Sequence, residues 1–188
     1  LETAKAKKIS SNFLNANLGT PYIWYNDSQN LLVKNIPSNK PNLLDANKEL
    51  PKGPTVSTSE GKVSQNRTYQ DLLKNPMDEE NFEILIKSEF YKISINGNSS
   101  KILDADLYTN FSFSPDGKLL LISKLKRPFS YIVPLSRFPS TTSVHDVDGN
   151  FLKIVNEVPL NEIMPKGFSS VRKGKRNMTW RDDAPSTL

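Results

Sequence analysis

The stretch "FSFSPDGKLLLIS", starting at Phe111, constrains the fold most, because it joins two short apolar runs through a turn in which each residue has a physical reason. Pro115 presets the turn φ, Asp116 can accept hydrogen bonds from the backbone ahead, and Gly117 supplies a positive φ. Phe113 and Leu119 are therefore expected to flank a tight hairpin. The same order of apolar strand, terminal aromatic, polar turn and second strand recurs with weaker turn chemistry at "YIWYNDSQNLLV" from Tyr22 and "NMTWRDDAPSTL" from Asn177. Trp24 and Trp180, each near a strand end, are expected in the core.

Two further segments carry the β-branched and aromatic clusters of strands: "FEILIKSEFYKISI" from Phe82 and "TTSVHDVDGNFLKIV" from Thr141. Phe82, Ile84, Ile86 and Phe90 share one parity and Tyr91, Ile93 and Ile95 the other, which predicts a bulge or turn near Phe90. "NGNSS" at Asn96 and "DVDGN" at Asp146 read as hairpin turns. The proline-rich stretch from Pro37 to Val63 holds few large apolar groups and reads as an extended or mobile insertion outside the core. In "TYQDLLKNPMDEENF", Thr68 with Asp71 in capping spacing and Asn75 before Pro76 favour one or two short surface helices.

"KLKRPFSYIVPLSRFP", from Lys124, combines seven apolar or aromatic side chains with three prolines and two arginines. Proline has no backbone donor and is expelled from central strand positions, so this segment is expected to leave its sheet and present side chains elsewhere.

Strand pairs separated by long, unequal insertions suit an all-β fold, a partial β-propeller of about two antiparallel blades with flanking strands, better than a sandwich. In this reading residues 1–20 hold the outer strand of a preceding blade. A blade with a long insertion (37–81) spans 21–105, a second blade spans 106–160, and 161–188 open the next. A propeller closes with roughly four to eight blades, so the chain reads as an excerpt whose open strand edges invite self-association.

Composition removes several function classes. The chain lacks cysteine, which excludes disulfides, thiolate zinc sites and a cysteine nucleophile. A net charge of +5, from 25 basic and 20 acidic residues among 188, is modest, and no aromatic stacking ladder or RNA-binding signature accompanies it, so nucleic acid is not expected as a partner. No apolar run approaches the roughly 18 residues needed to span a bilayer. The start carries neither an initiator Met nor an apolar leader core, and the compartment is not readable from the residues.

"NRTYQDLLKNPMDEENFE", "LLISKLKRPFSYIVPLSRFP" and "SSVRKGKRNMTWRDDAPSTL" resemble the propeller region of the glutamyl endopeptidase branch of the prolyl oligopeptidase family of serine peptidases. The similarity runs over nearly the whole chain and is weakest from Pro37 to Val63. It implies a parent protein in which the propeller is followed by an α/β-hydrolase domain with a Ser, Asp and His triad, in a secreted or periplasmic-type peptidase that cuts after Glu. That second domain is absent here. "GNSSK" at Gly97 and "GFSSV" at Gly167 lack the final glycine of a nucleophile elbow. His145, the one histidine, has no evident serine and carboxylate to work with, so it reads as a solvated or strand-face residue. No catalytic residue is assigned, and the chain alone is expected to be inactive. Its implied role is to cover the hydrolase active site, limit access to peptides and help bind an acidic side chain, with the peptide and the hydrolase domain of the same parent chain as partners.

Recognition of a glutamyl side chain requires a fixed cation, and Arg offers two parallel donors. Arg127 and Arg137, held by Pro128, Pro134 and Pro139, are the candidates, alongside the reading that they bind neighbouring carboxylates or lie across blade edges. Arg172 belongs to a basic cluster with Lys173, Lys175, Arg176 and Arg181 that could steer acidic peptides, bind phosphate or form a solvated loop. "DVDGN" lacks the closing acidic ligand of a calcium loop, and neither metal nor cofactor is expected. Sequons at Asn26, Asn66, Asn98, Asn110 and Asn177 are as frequent as chance provides in so Asn-, Ser- and Thr-rich a chain. The alternative to the peptidase portion is a non-catalytic propeller serving as a protein-interaction or glycan-binding module.

Overall fold

The computed structural model describes residues 5–10, 13–45, 47–48, 69–165 and 170–188. Among these residues eight strands form two four-stranded antiparallel sheets, each a simple meander. The first contains β1 (Tyr22–Trp24), β2 (Asn30–Asn35), β3 (Ser88–Ser94) and β4 (Ser99–Asp106), and the second β5 (Tyr108–Phe113), β6 (Leu119–Leu125), β7 (Ser140–Asp146) and β8 (Phe151–Val158). Among the described residues the fold is thus all-β with one α-helix and no closed barrel, the arrangement of a partial propeller.

The expected hairpins form where turn chemistry is local. Between β5 and β6 the Gly117 N–H donates to the Ser114 carbonyl (2.8 Å), and the Ser114 hydroxyl donates to Asp116 (2.6 Å) while accepting from the Leu119 N–H (3.0 Å). Gly117 has φ +70°, in the left-handed region that glycine tolerates. The Asn96 and Asp146 turns close β3–β4 and β7–β8, and Tyr25–Gln29 closes β1–β2. Register shifts on both sides of Phe90 place the expected bulge in β3.

Alternating residues of the two sheets meet in one core. Tyr25, Leu32 and Phe90 from the first sheet pack with Tyr108, Leu120 and Ile122 from the second. Phe90 lies 4.7 Å from the rings of both Tyr108 and Phe111, and Tyr25 4.5 Å from Phe113. Each large apolar side chain so buried contributes about 1.5–3 kcal/mol.

Several expectations are corrected. Phe82–Ile86 belong to helix α1 (Pro76–Ile86), not to a strand. Their period-2 parity also places Phe82 and Ile86 four apart on one helical face, so parity alone does not decide between strand and helix. The helix start decides it: the Asn75 side chain accepts from the Asp78 N–H (2.9 Å), Pro76 occupies the first turn, and Asp78 and Glu79 complement the dipole. Of the other helix signal, Thr68 lies outside the described residues and Asp71 adopts φ +55°. Trp24 is 51% exposed, on the face of β1 turned away from the second sheet. Trp180 is half-buried outside any strand, its indole N–H donating to the Ser112 carbonyl (3.2 Å). The described residues 5–10 and 170–188 form no named strand. The latter segment instead lies on the β5–β6 hairpin, where the Pro185 carbonyl accepts from Asp116 N–H (3.2 Å).

Candidate functional site

The strand connections divide the molecule into two ends. At one, all four hairpin turns are short and interlock. Asn26 donates to the Pro115 carbonyl (3.2 Å), Tyr25 to the Val147 carbonyl (3.2 Å), and Gly149 lies against Ile102. At the other end the second-to-third-strand connection of each sheet is long: residues 36–87 with α1 in the first, and 126–139 in the second. These two insertions pack on each other.

Their contact is a second hydrophobic core. Ile86 and Phe82 of α1 meet Leu107, Leu125, Phe129, Val133 and Phe138, with Leu18, Leu73, Leu135 and Leu160 around them. Phe129 and Phe138 stack at 5.3 Å, and Phe82 stands edge-on to both. The prolines make this possible as the sequence predicts: after Leu125 the chain leaves the sheet, forms a short 3-10 turn at Leu135–Arg137 and re-enters at Ser140.

The helix is tied on every side. The Asn15 side chain donates to the carbonyls of Leu85 (2.9 Å) and Lys87 (3.0 Å), and Asn17 donates to Leu85 (2.7 Å), so carbonyls left open at the helix C-terminus are satisfied from the N-terminal segment. Asn81 accepts from the Leu44 N–H (2.7 Å) and donates to its carbonyl (3.0 Å), holding this part of the insertion alongside.

Within this end the candidate arginines occupy distinct settings. Arg127 grips Glu83 with two parallel hydrogen bonds, 3.1 Å from Nε and 2.7 Å from Nη2, and also pairs with Glu79. Tyr131 donates to the other oxygen of Glu79 (2.6 Å), which pushes its phenol up to about 12. One guanidinium therefore faces two carboxylates. The hydrogen bonds to Glu83 hold its proton more tightly still. Arg137, half-buried on the 3-10 turn, lies over the Tyr69 ring at 5.2 Å. Arg172 is remote in sequence and folds back on its own loop, donating to the carbonyls of Lys173 (3.3 Å) and Lys175. The insertion end thus holds Arg127 and Arg137 on one segment, whereas Arg172, among the described residues, bonds its own loop.

His145 accepts from or donates to the Ser143 hydroxyl (2.9 Å) and meets the Gly149 carbonyl through Nδ1 (3.0 Å), with the Phe151 ring edge-on at 5.7 Å. Its orienting partner is a backbone carbonyl, as suits a strand-face residue. In "DVDGN", Asp146 accepts from the Asn150 side-chain amide (2.8 Å) and from the backbone N–H groups of Asn150 (2.8 Å) and Asp148 (3.0 Å), bonds that stabilise its carboxylate and hold its pKa below the usual range. Among the described residues no helix is long and apolar enough to cross a membrane.

Sequence reading missed one residue at this end, Lys34. It sits on β2 with 1% exposure, and its ammonium donates to the Leu18 carbonyl. Burial holds its pKa below the ordinary lysine value. A lysine between Val33 and Asn35 in an apolar run is the only sequence signal it gives.

No family model matches the chain, and no solved structure matches it. Two curated proteins do. A probable chloroplastic glutamyl endopeptidase of Oryza sativa subsp. japonica is 40% identical over 177 residues, covering 94% of this chain and 19% of that protein. Its namesake from Arabidopsis thaliana is 39% identical over 193 residues, covering 100% of this chain and 20% of that protein. The chain spans about a fifth of the length of the curated relatives it matches.

Proposed function

Because the chain corresponds to part of a glutamyl-endopeptidase-like protein, we propose that it is the non-catalytic propeller portion of a serine peptidase of the prolyl oligopeptidase family. The two sheets are adjacent blades of a larger propeller that covers the hydrolase active site of the parent protein. They restrict entry to extended peptides and help bind an acidic side chain. The observation that carries this reading is the match along the whole chain to proteins of that name, joined to a pair of four-stranded meanders packed face to face.

The insertion end is the part of this chain that meets the peptide. Arg127, which faces Glu79 and Glu83, and Arg137, which lies over the Tyr69 ring, are the candidate arginines there. Arg172 supplies positive charge on the flanking loop. The test is a digest of a defined peptide mixture by the complete parent protein, with cleavage sites read by mass spectrometry. Cuts after Glu are expected. Cuts at other residues would remove the acidic recognition and keep the peptidase, and no cleavage at all would favour an interaction module.

A further inference from the structure

The acidic recognition proposed above needs a cation whose charge is not already neutralised, and several cations of this end fail that requirement. Arg127 faces two carboxylates, Lys101 lies between Glu89 (2.9 Å) and Asp104 (3.0 Å), Lys124 is on Asp106 (2.6 Å), and Lys126 is on Glu157 (3.0 Å). Lys34 differs. It is buried, and its acceptor among the described residues is a neutral carbonyl, that of Leu18. A buried ammonium without an anionic partner is costly, and the depressed pKa of Lys34 has desolvation as its cause with no compensating carboxylate.

The setting of that carbonyl matters. Asn15 and Ile36 bond across the sheet edge, with Asn15 N–H on the Lys34 carbonyl (2.7 Å) and Ile36 N–H on the Phe13 carbonyl (2.9 Å). Pro21 then resumes the same edge, its carbonyl accepting from the Lys34 N–H (2.7 Å). Residues 16–20 therefore bulge out of the edge and fold over Lys34. Gly19, at φ +65°, carries this loop against the Thr109 carbonyl of β5, so the bulge lies between the first strands of both sheets.

We infer that Lys34 is a specificity-determining cation that receives the acidic side chain of the peptide, with the Leu18 carbonyl as the placeholder it displaces. This rests on the reading under Proposed function. The exchange discriminates by charge: a neutral glutaminyl oxygen gains nothing over the carbonyl already in place, whereas a carboxylate replaces a neutral acceptor with an anionic one and neutralises the ammonium. The cation is thus occluded until the correct charge arrives.

The experiment uses the complete parent peptidase with matched peptides carrying Glu or Gln at the cleaved position. Lys34→Gln, which can still donate to the Leu18 carbonyl, and Lys34→Met, which cannot, are compared with the natural residue. Both are expected to lower the Glu-to-Gln ratio of kcat/KM roughly 10- to 100-fold, the range of one charge-assisted hydrogen bond. Lys34→Arg, which keeps the charge, is expected to retain most of the preference. A ratio preserved in Lys34→Gln would overturn the assignment and make Lys34 a support of the loop. If the unaltered enzyme shows no preference for Glu, the reading under Proposed function falls first, which the same control reveals.

Discussion

The two ends of the paired sheets are built by different means. At the turn end, connections of a few residues are closed by hydrogen bonds between near neighbours, as in Ser114 with Asp116 and Asp146 with Asn150. At the insertion end, the same sheets are joined by residues distant in sequence: Asn15 with Leu85, Asn81 with Leu44, Phe82 with Phe138. Local chemistry fixes register at one end, and long-range packing shapes a surface at the other. The end built from long-range contacts is the one that can carry a function without disturbing the strands.

The largest effect that separates the ends is expected from Phe138→Ala. Phe138 is 5% exposed and contacts both Phe82 and Phe129, so its removal opens the second core and costs about 3–5 kcal/mol. Chemical denaturation followed by circular dichroism measures this. A loss below about 1 kcal/mol would mean that the insertions rest on the sheets without stabilising them. At the turn end, Gly149→Ala is expected to cost about 2–3 kcal/mol, part from φ +90° and part from a Cβ placed 2.6 Å from the Ile102 carbonyl oxygen. Gly174→Ala is the control: φ is +96° there, but the nearest group is the far end of the Arg172 side chain at 3.6 Å. Equal losses at both glycines would assign the whole effect to backbone conformation and none to the contact of the Gly149 turn with β4.

The same division explains what the sequence reveals. "SPDG" specifies its hairpin because Pro115, Asp116 and Gly117 act within four residues, and the Phe90 bulge is visible as a change of parity. The three prolines of Lys124–Pro139 announce an exit from the sheet. Where that exit leads is not legible, since its partner, α1, lies some forty residues earlier and its own apolar spacing fits strand as well as helix. "NMTWRDDAPSTL" imitates the strand pattern without the turn glycine and folds as turns on another hairpin. Arg127 and Arg137 stand out as charges beside prolines, but which carboxylate each meets is a property of tertiary packing. Lys34 is harder still, because a half-exposed strand lysine and a buried one look alike in sequence.

The smallest effect sharpens the contrast between the two cations. In a double-mutant cycle of Arg127→Ala and Glu83→Ala, the coupling is expected to be about 0.5–1 kcal/mol. The side chains are 48% and 31% exposed, so solvent screens the attraction, and the two-point geometry places the pair at the upper end of the surface range. The coupling should shrink with added salt, as an exposed pair requires. A coupling of several kcal/mol that ignores salt would mean that Arg127 behaves as a buried charge whose loss strands Glu83. Arg127 would then be a structural keystone of the insertion end, unable to exchange its partners for a peptide carboxylate. A small, salt-sensitive coupling leaves its partners exchangeable, and the difference between Arg127 and Lys34 becomes one of burial: one cation is already answered and open to solvent, the other unanswered and enclosed.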